Sequence, residues 1–250
     1  MMRTHTVRDI REQLAFKLLH KDFTSINREA SMTSIVGSTT IEINGASFLA
    51  DEDVLFGKVN SDYVAREHEW YMSQSRNVND IPGGAPKVWS AVASADGTIN
   101  SNYGWCVFSG DNGRQYDRVV AELRRNPESR RAVIIYTRPS IWDEYNVDGR
   151  SDFICTNVVQ YFVRNGLVNC VVQMRSNDAN IGYKNDRAWQ ATVLERLAGD
   201  LNLPVGDIIW QVGSLHVYQR DFYLVHNFYH TGDENISKAD FVKRYPNVSF

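Results

Sequence analysis

Residues 155–178 read CTNVVQYFVRNGLVNCVVQMRSND, and this stretch decides how the chain folds. Two runs rich in β-branched and aromatic residues flank the pair Asn165-Gly166. An Asn-Gly pair in this setting predicts a β-hairpin, because both central positions of the tight turn need a positive φ. The two runs, residues 155–164 and 167–174, are the predicted strands of this hairpin.

The hairpin places the thiol of Cys155 beside a positive charge. Counting outward from the turn puts Cys155 opposite Ser176. A β-bulge would shift this register by one, so the prediction is only that Cys155 lies beside Arg175 and Ser176. A guanidinium stabilises the thiolate, which is the nucleophilic form of cysteine. We therefore predict that Cys155 is a nucleophile. Cys170 lies in the middle of a strand and far from Arg175, so we interpret it as an inert core residue.

The composition predicts one globular domain covering residues 1–250. The chain has 250 residues, 43% of them hydrophobic, and a formal net charge of −3. A chain of this length without a linker favours one sizeable core. The negative charge disfavours a surface that coats nucleic acid, so any phosphate would have to be met by a local group of arginines.

The distribution of cysteines and charges predicts a cytoplasmic protein. The three cysteines cannot all pair, and no CxxC or His/Cys group has the spacing of metal ligands, so we expect no structural metal. Charges occur throughout the first 22 residues and no apolar run reaches about 18 residues. We expect neither a signal peptide nor a membrane span.

Hydrophobic periodicity predicts the other elements of secondary structure. Thr6 is expected to cap a first helix. The pair Asn44-Gly45 is expected to follow the end of a strand. The predicted helices cover residues 62–73, 115–125 and 187–201, the predicted strands cover residues 39–43, 132–136 and 208–218, and residues 78–103 are expected to be mostly loop.

Three groups of polar residues have both a functional and an ordinary explanation. Glu67 shares a helix face with aromatic residues, where a carboxylate is costly unless it has a partner or a task. His216 and Tyr218 are two apart on a predicted strand and face the same way, which suits hydrogen bonding to a sugar. A satisfied core histidine is the common alternative. Arg130 and Arg131 could likewise be an ordinary solvated surface.

Longer motifs in the chain resemble the thymidylate synthase family. They are EHEW at 67–70, NSNYGW at 100–105, SRR at 129–131, IYTRPS at 135–140, SDF at 151–153, CTN at 155–157, QMRSND at 173–178 and GSLHVY at 213–218. Their order and spacing are similar to those of the family from about residue 41 to residue 218. Within the family, the motifs are most similar to those of the bacteriophage deoxycytidylate hydroxymethylases.

The resemblance implies an α/β fold with a large mixed β-sheet flanked by helices, packed through the sheet as a homodimer. It also implies a cleft for dCMP and for 5,10-methylenetetrahydrofolate as co-substrate, without a metal and without direct contact to nucleic acid or membrane. The implied catalytic residues are Cys155, Glu67, Asp186 and Tyr103. The implied nucleotide ligands are Arg175, Ser176, His216 and Tyr218, with Arg130 and Arg131 donated by the partner subunit. The implied folate residues are Trp89, Asp178 and Gly182.

Asp186 bears most directly on the choice of base. Thymidylate synthases have asparagine at the matching position, whose amide can pair with uracil. Cytosine presents an acceptor at N3 and an amine at C4, and a carboxyl that shares a proton with N3 fits that pattern. We therefore predict cytosine over uracil. The alternative is that Asp186 only caps a helix beginning at Arg187.

The chain departs from the synthase pattern at several positions. Ile154 and Thr156 replace the proline and histidine that flank the nucleophile, which favours a hydroxymethylase by resemblance. Residues 34–39 lack the family's basic phosphate ligand, for which Arg28 is the candidate, and residues 238–250 do not resemble the synthase C-terminus. The alternatives are a methyl-transferring enzyme acting on dCMP or dUMP, and a non-catalytic nucleotide-binding subunit of a precursor-synthesis complex.

Overall fold

The computed structural model describes residues 4–25 and 37–250. Within these ranges six strands form one sheet in the order β1-β2-β6-β5-β4-β3. The strands are β1 (Thr24–Ser25), β2 (Thr39–Leu49), β3 (Val133–Ile135), β4 (Thr156–Arg164), β5 (Leu167–Asp178) and β6 (Val205–Tyr218). The α-helices that flank the sheet are α1 (Val7–Leu19), α2 (Ser61–Ser73), α3 (Lys87–Val92), α4 (Tyr103–Phe108), α5 (Gln115–Arg125), α6 (Ile141–Glu144), α7 (Ile181–Leu201), α8 (Phe222–Thr231) and α9 (Lys238–Arg244).

The chain divides into two compact units. The first unit comprises Met1–Val59, Ser176–Ala188 and Ile209–Phe250, and the second comprises Asn60–Arg175 and Trp189–Ile208. Strands β5 and β6 each contribute residues to both units. The single catalytic domain expected from the sequence stays a prediction.

The central hairpin forms as predicted, and it contains the bulge. Asn165 and Gly166 have φ of 53° and 75°, as the tight turn requires. The register of β4 against β5 shifts between Thr156 and Val158. Beyond the shift, the backbone N–H of Arg175 donates to the carbonyl of Cys155 over 2.9 Å. The bulge therefore makes Arg175 the neighbour of Cys155 across the hairpin.

Two boundaries predicted from the sequence are wrong. Strand β2 does not end before Asn44-Gly45 but continues to Leu49, with an unchanged register against β6 on both sides of Gly45. Helix α7 begins at Ile181 instead of Arg187. Residues 184–186 near its start are polar (Lys184, Asn185 and Asp186), so the apolar pattern becomes visible only further along the helix.

Other predictions agree with the structure. Helix α5 spans Gln115–Arg125 as expected, and Thr6 caps α1 through a reciprocal capping box with Asp9. The segment expected to be mostly loop contains the short helix α3 and a 3₁₀ turn at Val78–Asp80. In the described part of the chain, no helix combines the length and the apolar character that spanning a bilayer requires.

Candidate active site

In the second unit, Arg175 is fixed beside the thiol of Cys155. Its Nη2 lies 3.6 Å from Cys155 Sγ and donates to the carbonyl of Phe153 over 2.6 Å, while Nε donates to the carbonyl of Ile154 over 3.0 Å. The Phe153 ring lies under the guanidinium, with its centroid 4.9 Å from Cζ. Cys155 itself is half-buried. A reachable thiol beside a fixed positive charge is the arrangement that stabilises an attacking thiolate.

The segment leading to Cys155 is anchored by the buried carboxylate of Asp152, which is 6% exposed. Its Oδ2 accepts from the backbone N–H groups of Asn100 and Ser101 over 2.6 and 2.7 Å. Its Oδ1 accepts from the Ser101 hydroxyl over 2.6 Å. Burial raises the pKa of Asp152, although these three donors oppose the shift. The carboxylate thus ties residues 100–101 to the chain three positions before the thiol.

Tyr103 is held against the residue that follows Cys155. The Thr156 hydroxyl donates to the Tyr103 hydroxyl over 3.0 Å, and both residues are buried. The Tyr103 ring stacks on Tyr71 at 5.5 Å and meets Tyr136 edge-on at 5.1 Å. Thr156 therefore connects Tyr103 to the start of β4, directly after Cys155.

Glu67 is a buried carboxyl, 4% exposed, that accepts hydrogen bonds from two aromatic side chains. The Tyr63 hydroxyl donates to Glu67 Oε1, and the Trp89 indole N–H lies 3.2 Å from the same oxygen and 2.9 Å from the Tyr63 hydroxyl. Burial raises the pKa of Glu67. Burial and the neighbouring Glu67 carboxylate also raise the pKa of Tyr63, so this phenol stays protonated and donates. A carboxyl with a raised pKa holds a proton more readily than an exposed one, which suits a residue that transfers protons.

Arg130 and Arg131 are exposed and lie away from Cys155 of the same chain. Arg131 donates to Glu122 from Nε and Nη2 over 3.1 and 3.0 Å, and the Arg130 carbonyl accepts from Gln160 Nε2 over 2.8 Å. Gln160 is five positions along β4 from Cys155, which corresponds to about 17 Å of strand. Within one chain, the structure does not bring these arginines together with the thiol.

In the first unit, Asp186 belongs to a short polar network and does not cap a helix. It is the sixth residue of α7, so the capping alternative is wrong. Its Oδ2 accepts from Asn177 Nδ2 over 2.7 Å. Asn177 Oδ1 in turn accepts from the buried Trp210 indole N–H over 3.3 Å. The carboxyl of Asp186 is therefore oriented by a neighbour that is itself held in place.

Gly182 leaves the space that this network occupies. A Cβ on Gly182 would lie 2.9 Å from Asn177 Nδ2 and 3.3 Å from Asp178 Cβ. Asp178 Oδ1 accepts from the N–H groups of Asn180 and Ile181 over 2.8 and 3.2 Å. Its Oδ2 accepts from Arg220 over 3.0 Å. Asp178 thus stabilises the start of α7, and the folate roles of Asp178 and Gly182 stay predictions.

His216 and Tyr218 form an aromatic pair near the end of β6. Their ring centroids are 4.7 Å apart and the rings are nearly perpendicular. His216 Nδ1 lies 3.4 Å from the Ser214 hydroxyl, and the Arg220 guanidinium lies 5.5 Å from the Tyr218 ring centroid. Both rings are largely buried. The two side chains do share a surface of the strand, as their spacing predicted.

Sequence reasoning missed four residues that the structure places in these networks. Tyr63 had a visible signal, since it lies four positions before Glu67 on one helix face. Asp152 and Asn177 occur within recognised motifs but had no assigned task, and Trp210 gave no signal at all. Arg28, the candidate for the missing phosphate ligand, lies outside the described residues.

Comparison with known proteins identifies the class. The family model described as Thymidylate synthase matches residues 33–241. The chain therefore belongs to the thymidylate synthase family, which confirms the resemblance. The fold agrees, since thermostable thymidylate synthase A from Bacillus subtilis superposes with a TM-score of 0.60 at 24% identity, covering 76% of this chain and 71% of that one.

Individual members of the family differ in how similar they are to this chain. Deoxycytidylate 5-hydroxymethyltransferase from Enterobacteria phage T4 is 52% identical over 247 residues, which cover 96% of this chain and 97% of the relative. The protein of the same name from Enterobacteria phage T2 is 52% identical over 243 residues, 94% of this chain and 96% of the relative. A thymidylate synthase from Francisella tularensis subsp. holarctica is 27% identical over 171 residues, 64% of this chain and 62% of the relative.

Proposed function

We propose that this protein is a deoxycytidylate 5-hydroxymethyltransferase. It would transfer the one-carbon unit of 5,10-methylenetetrahydrofolate to C5 of dCMP with addition of water, giving 5-hydroxymethyl-dCMP and tetrahydrofolate. The observation that carries the proposal is the 52% identity, over 96% of the chain, to relatives with that named activity. The state of Asp186, an oriented carboxyl that is not a helix cap, supports the choice of cytosine.

Cys155 would start the reaction by attacking C6 of the pyrimidine. The Sγ–C6 bond forms as the C5–C6 double bond gives up its electron pair, and C5 becomes nucleophilic. Arg175 supports the step because its guanidinium is fixed 3.6 Å from Sγ. Protonation of the cytosine ring at N3 by Asp186 would make C6 more electrophilic.

Glu67 would move protons during the later stages. Its raised pKa suits a group that accepts the proton that C5 loses after taking up the one-carbon unit, or a proton from the entering water. Tyr103, tied to Thr156 beside the nucleophile, would order water on the same side. Water gives the hydroxymethyl product, whereas hydride would give a methyl group.

The nucleotide's phosphate and sugar would be held by the remaining polar residues. Arg175 and Ser176 would bind the phosphate, and His216 and Tyr218 the sugar hydroxyl. Arg130 and Arg131 would bind the phosphate of the nucleotide held by the partner subunit. They are too far from the thiol of their own chain, because Gln160, which contacts Arg130, lies about 17 Å along the strand from Cys155. Ile135, which is 56% exposed on the edge strand β3, supplies apolar surface for such a homodimer.

Enzymes of this family use methylenetetrahydrofolate as co-substrate, and the chain contains groups that suit it. A pterin offers flat ring faces and N–H donors. Trp89 is half-buried, with its indole N–H held by Glu67 and Tyr63, so its ring can stack. Asp178 offers carboxylate acceptors beside the small Gly182. The folate supplies the carbon that is added at C5.

The direct test is mass spectrometry of the nucleotide after incubation with methylenetetrahydrofolate and either dCMP or dUMP. We expect a gain of CH2O on dCMP and little change of dUMP. A gain of CH2 would favour the methyl-transferring alternative, and the absence of any product would favour a non-catalytic subunit.

Cysteine variants assign the nucleophile in the same assay. Cys155→Ser should lose at least about 10³-fold in turnover, because a hydroxyl is not ionised near neutrality. Cys170→Ala is the matched control, since Cys170 is fully buried in β5 and should be needed only for packing. Undiminished turnover by Cys155→Ser would contradict the assignment.

A further inference from the structure

The orientation of the Asn177 side chain is decided by Trp210. An indole N–H can only donate, so the group that faces it at 3.3 Å must be the carbonyl end of the Asn177 amide. The NH2 end must then face Asp186 Oδ2, 2.7 Å away. Asn177 is 3% exposed and Trp210 is fully buried. The pair is thus a fixed donor aimed at the Asp186 carboxyl.

The two pyrimidines need Asp186 in different protonation states. Cytosine offers an acceptor at N3 and an amine at C4, so a carboxyl that gives its proton to N3 then accepts from both groups as a carboxylate. Uracil offers a donor at N3 and an acceptor at O4. A carboxyl can satisfy both of those groups only while it keeps its own proton.

A donor bound to Asp186 therefore affects the two complexes unequally. The Asn177 N–H stabilises the ionised carboxylate and opposes a proton on Oδ2. It favours the cytosine complex, in which the proton has moved to the base, and disfavours the uracil complex, in which the proton must stay on the carboxyl.

We propose that Asn177, held by Trp210, is a positioning residue that makes Asp186 select cytosine over uracil. This inference rests on the proposed function and deepens it. Gly182 is part of the device, because a Cβ there would lie 2.9 Å from Asn177 Nδ2 and displace the amide. A carboxyl at position 186 without the Asn177 donor would therefore discriminate less between cytosine and uracil.

The test compares dCMP with dUMP in variants that change only this donor. Asn177→Leu keeps the shape of the side chain and removes the N–H. Asn177→Asp replaces the donor with an acceptor, and Trp210→Phe keeps an aromatic ring but frees the amide to turn over. We would measure kcat/KM for both nucleotides with methylenetetrahydrofolate, and also the affinity of each nucleotide by calorimetry without folate.

We expect the ratio of dCMP to dUMP, in kcat/KM and in affinity, to fall by about 10-fold or more in Asn177→Leu, the effect of one lost charge-assisted hydrogen bond. In Asn177→Asp the ratio should fall further, because two adjacent carboxyls share a proton and Asp186 then stays neutral. In Trp210→Phe the ratio should fall less than in Asn177→Leu. The ratio does not depend on the fraction of active protein, so partial misfolding does not disturb it.

Trp189→Phe is the matched control. Trp189 is also fully buried, and its indole N–H donates to the Tyr136 hydroxyl, so the change has a similar packing cost and should leave the ratio unchanged. An equal loss for both nucleotides in Asn177→Leu and Trp210→Phe would overturn the inference. A wild-type protein that did not prefer dCMP would instead overturn the proposed function.

Discussion

Two buried carboxylates in the second unit, Glu67 and Asp152, differ in how their oxygens are used. Both are almost completely buried, and burial raises the pKa of each. Asp152 receives hydrogen bonds on both oxygens from backbone and hydroxyl donors. The hydrogen bonds that Glu67 receives from Tyr63 and Trp89 both end on Oε1.

The difference separates a structural carboxylate from one with chemical capacity. The three donors to Asp152 offset part of the cost of its burial and fix the loop before Cys155. In the described part of the chain, both of the donors to Glu67 reach Oε1, and we expect Oε2 to be the oxygen that exchanges a proton with water or substrate. Equal burial therefore does not imply equal function, and substitutions can test whether this distinction holds.

Of the substitutions at these two carboxylates, Glu67→Gln is expected to have the largest effect. The amide keeps the shape and can still accept from Tyr63, but it cannot transfer a proton, so kcat/KM for dCMP should fall about 10²- to 10⁴-fold. The fall should be in product formation, while the affinity for dCMP without folate stays near that of the wild type. Turnover within a factor of two of the wild type would show that Glu67, like Asp152, is only structural.

A smaller effect, on stability, is expected for Asp152→Ala. Two backbone N–H groups would be left buried without an acceptor, which should lower the free energy of unfolding by about 2–4 kcal/mol in urea denaturation. Asp152→Asn is the matched control. Its carbonyl can face the two N–H groups while its NH2 donates to the Ser101 hydroxyl, so it should stay within about 1 kcal/mol of the wild type. An equally large loss in Asp152→Asn would mean that the charge itself is needed.

The smallest effect is a pH-dependent gain in stability from Glu67→Gln. Because the folded-state pKa of Glu67 is raised, the folded protein carries a cost that is fully present above that pKa. The cost falls as the pH decreases and is lost below about pH 4, the ordinary pKa of glutamate. The variant should therefore be more stable than the wild type near neutral pH, by on the order of 1 kcal/mol. Thermal melts of both proteins should converge in acid, and a constant difference at all pH values would contradict this.

The parts of the fold that follow local rules could be predicted from the sequence. Asn165-Gly166 predicted the hairpin and the neighbourhood of Cys155, because turn type and register are set by a few adjacent residues. The same dipeptide at 44–45 predicted a strand end that does not exist, since the pairing of β2 with the distant β6 continues through it. The start of α7 was missed because the Asp178 side chain sets it and the apolar pattern does not.

Candidate site residues could be proposed from the sequence where a residue carries its own chemistry, and not where the chemistry comes from a neighbour. Cys155 and Asp186 could be selected by residue type and by resemblance. The dependence of Asp186 on Asn177 and Trp210 could not, because it arises from an indole donor on another strand. Polar networks of this kind are formed by tertiary packing, which leaves no periodic pattern in the sequence.

Because of the bulge between Thr156 and Val158, the length of β4 determines which residue of β5 lies opposite Cys155. The nine residues of β4 separate Cys155 from the turn, and the bulge offsets that count by one against β5. The number of residues between Cys155 and the turn therefore determines which side chain lies opposite the thiol. Inserting or deleting one residue in β4 would place Cys155 opposite a neutral side chain instead of Arg175, although none of the candidate site residues would have changed. We therefore expect relatives with the same activity to differ in this hairpin by substitutions and not by length.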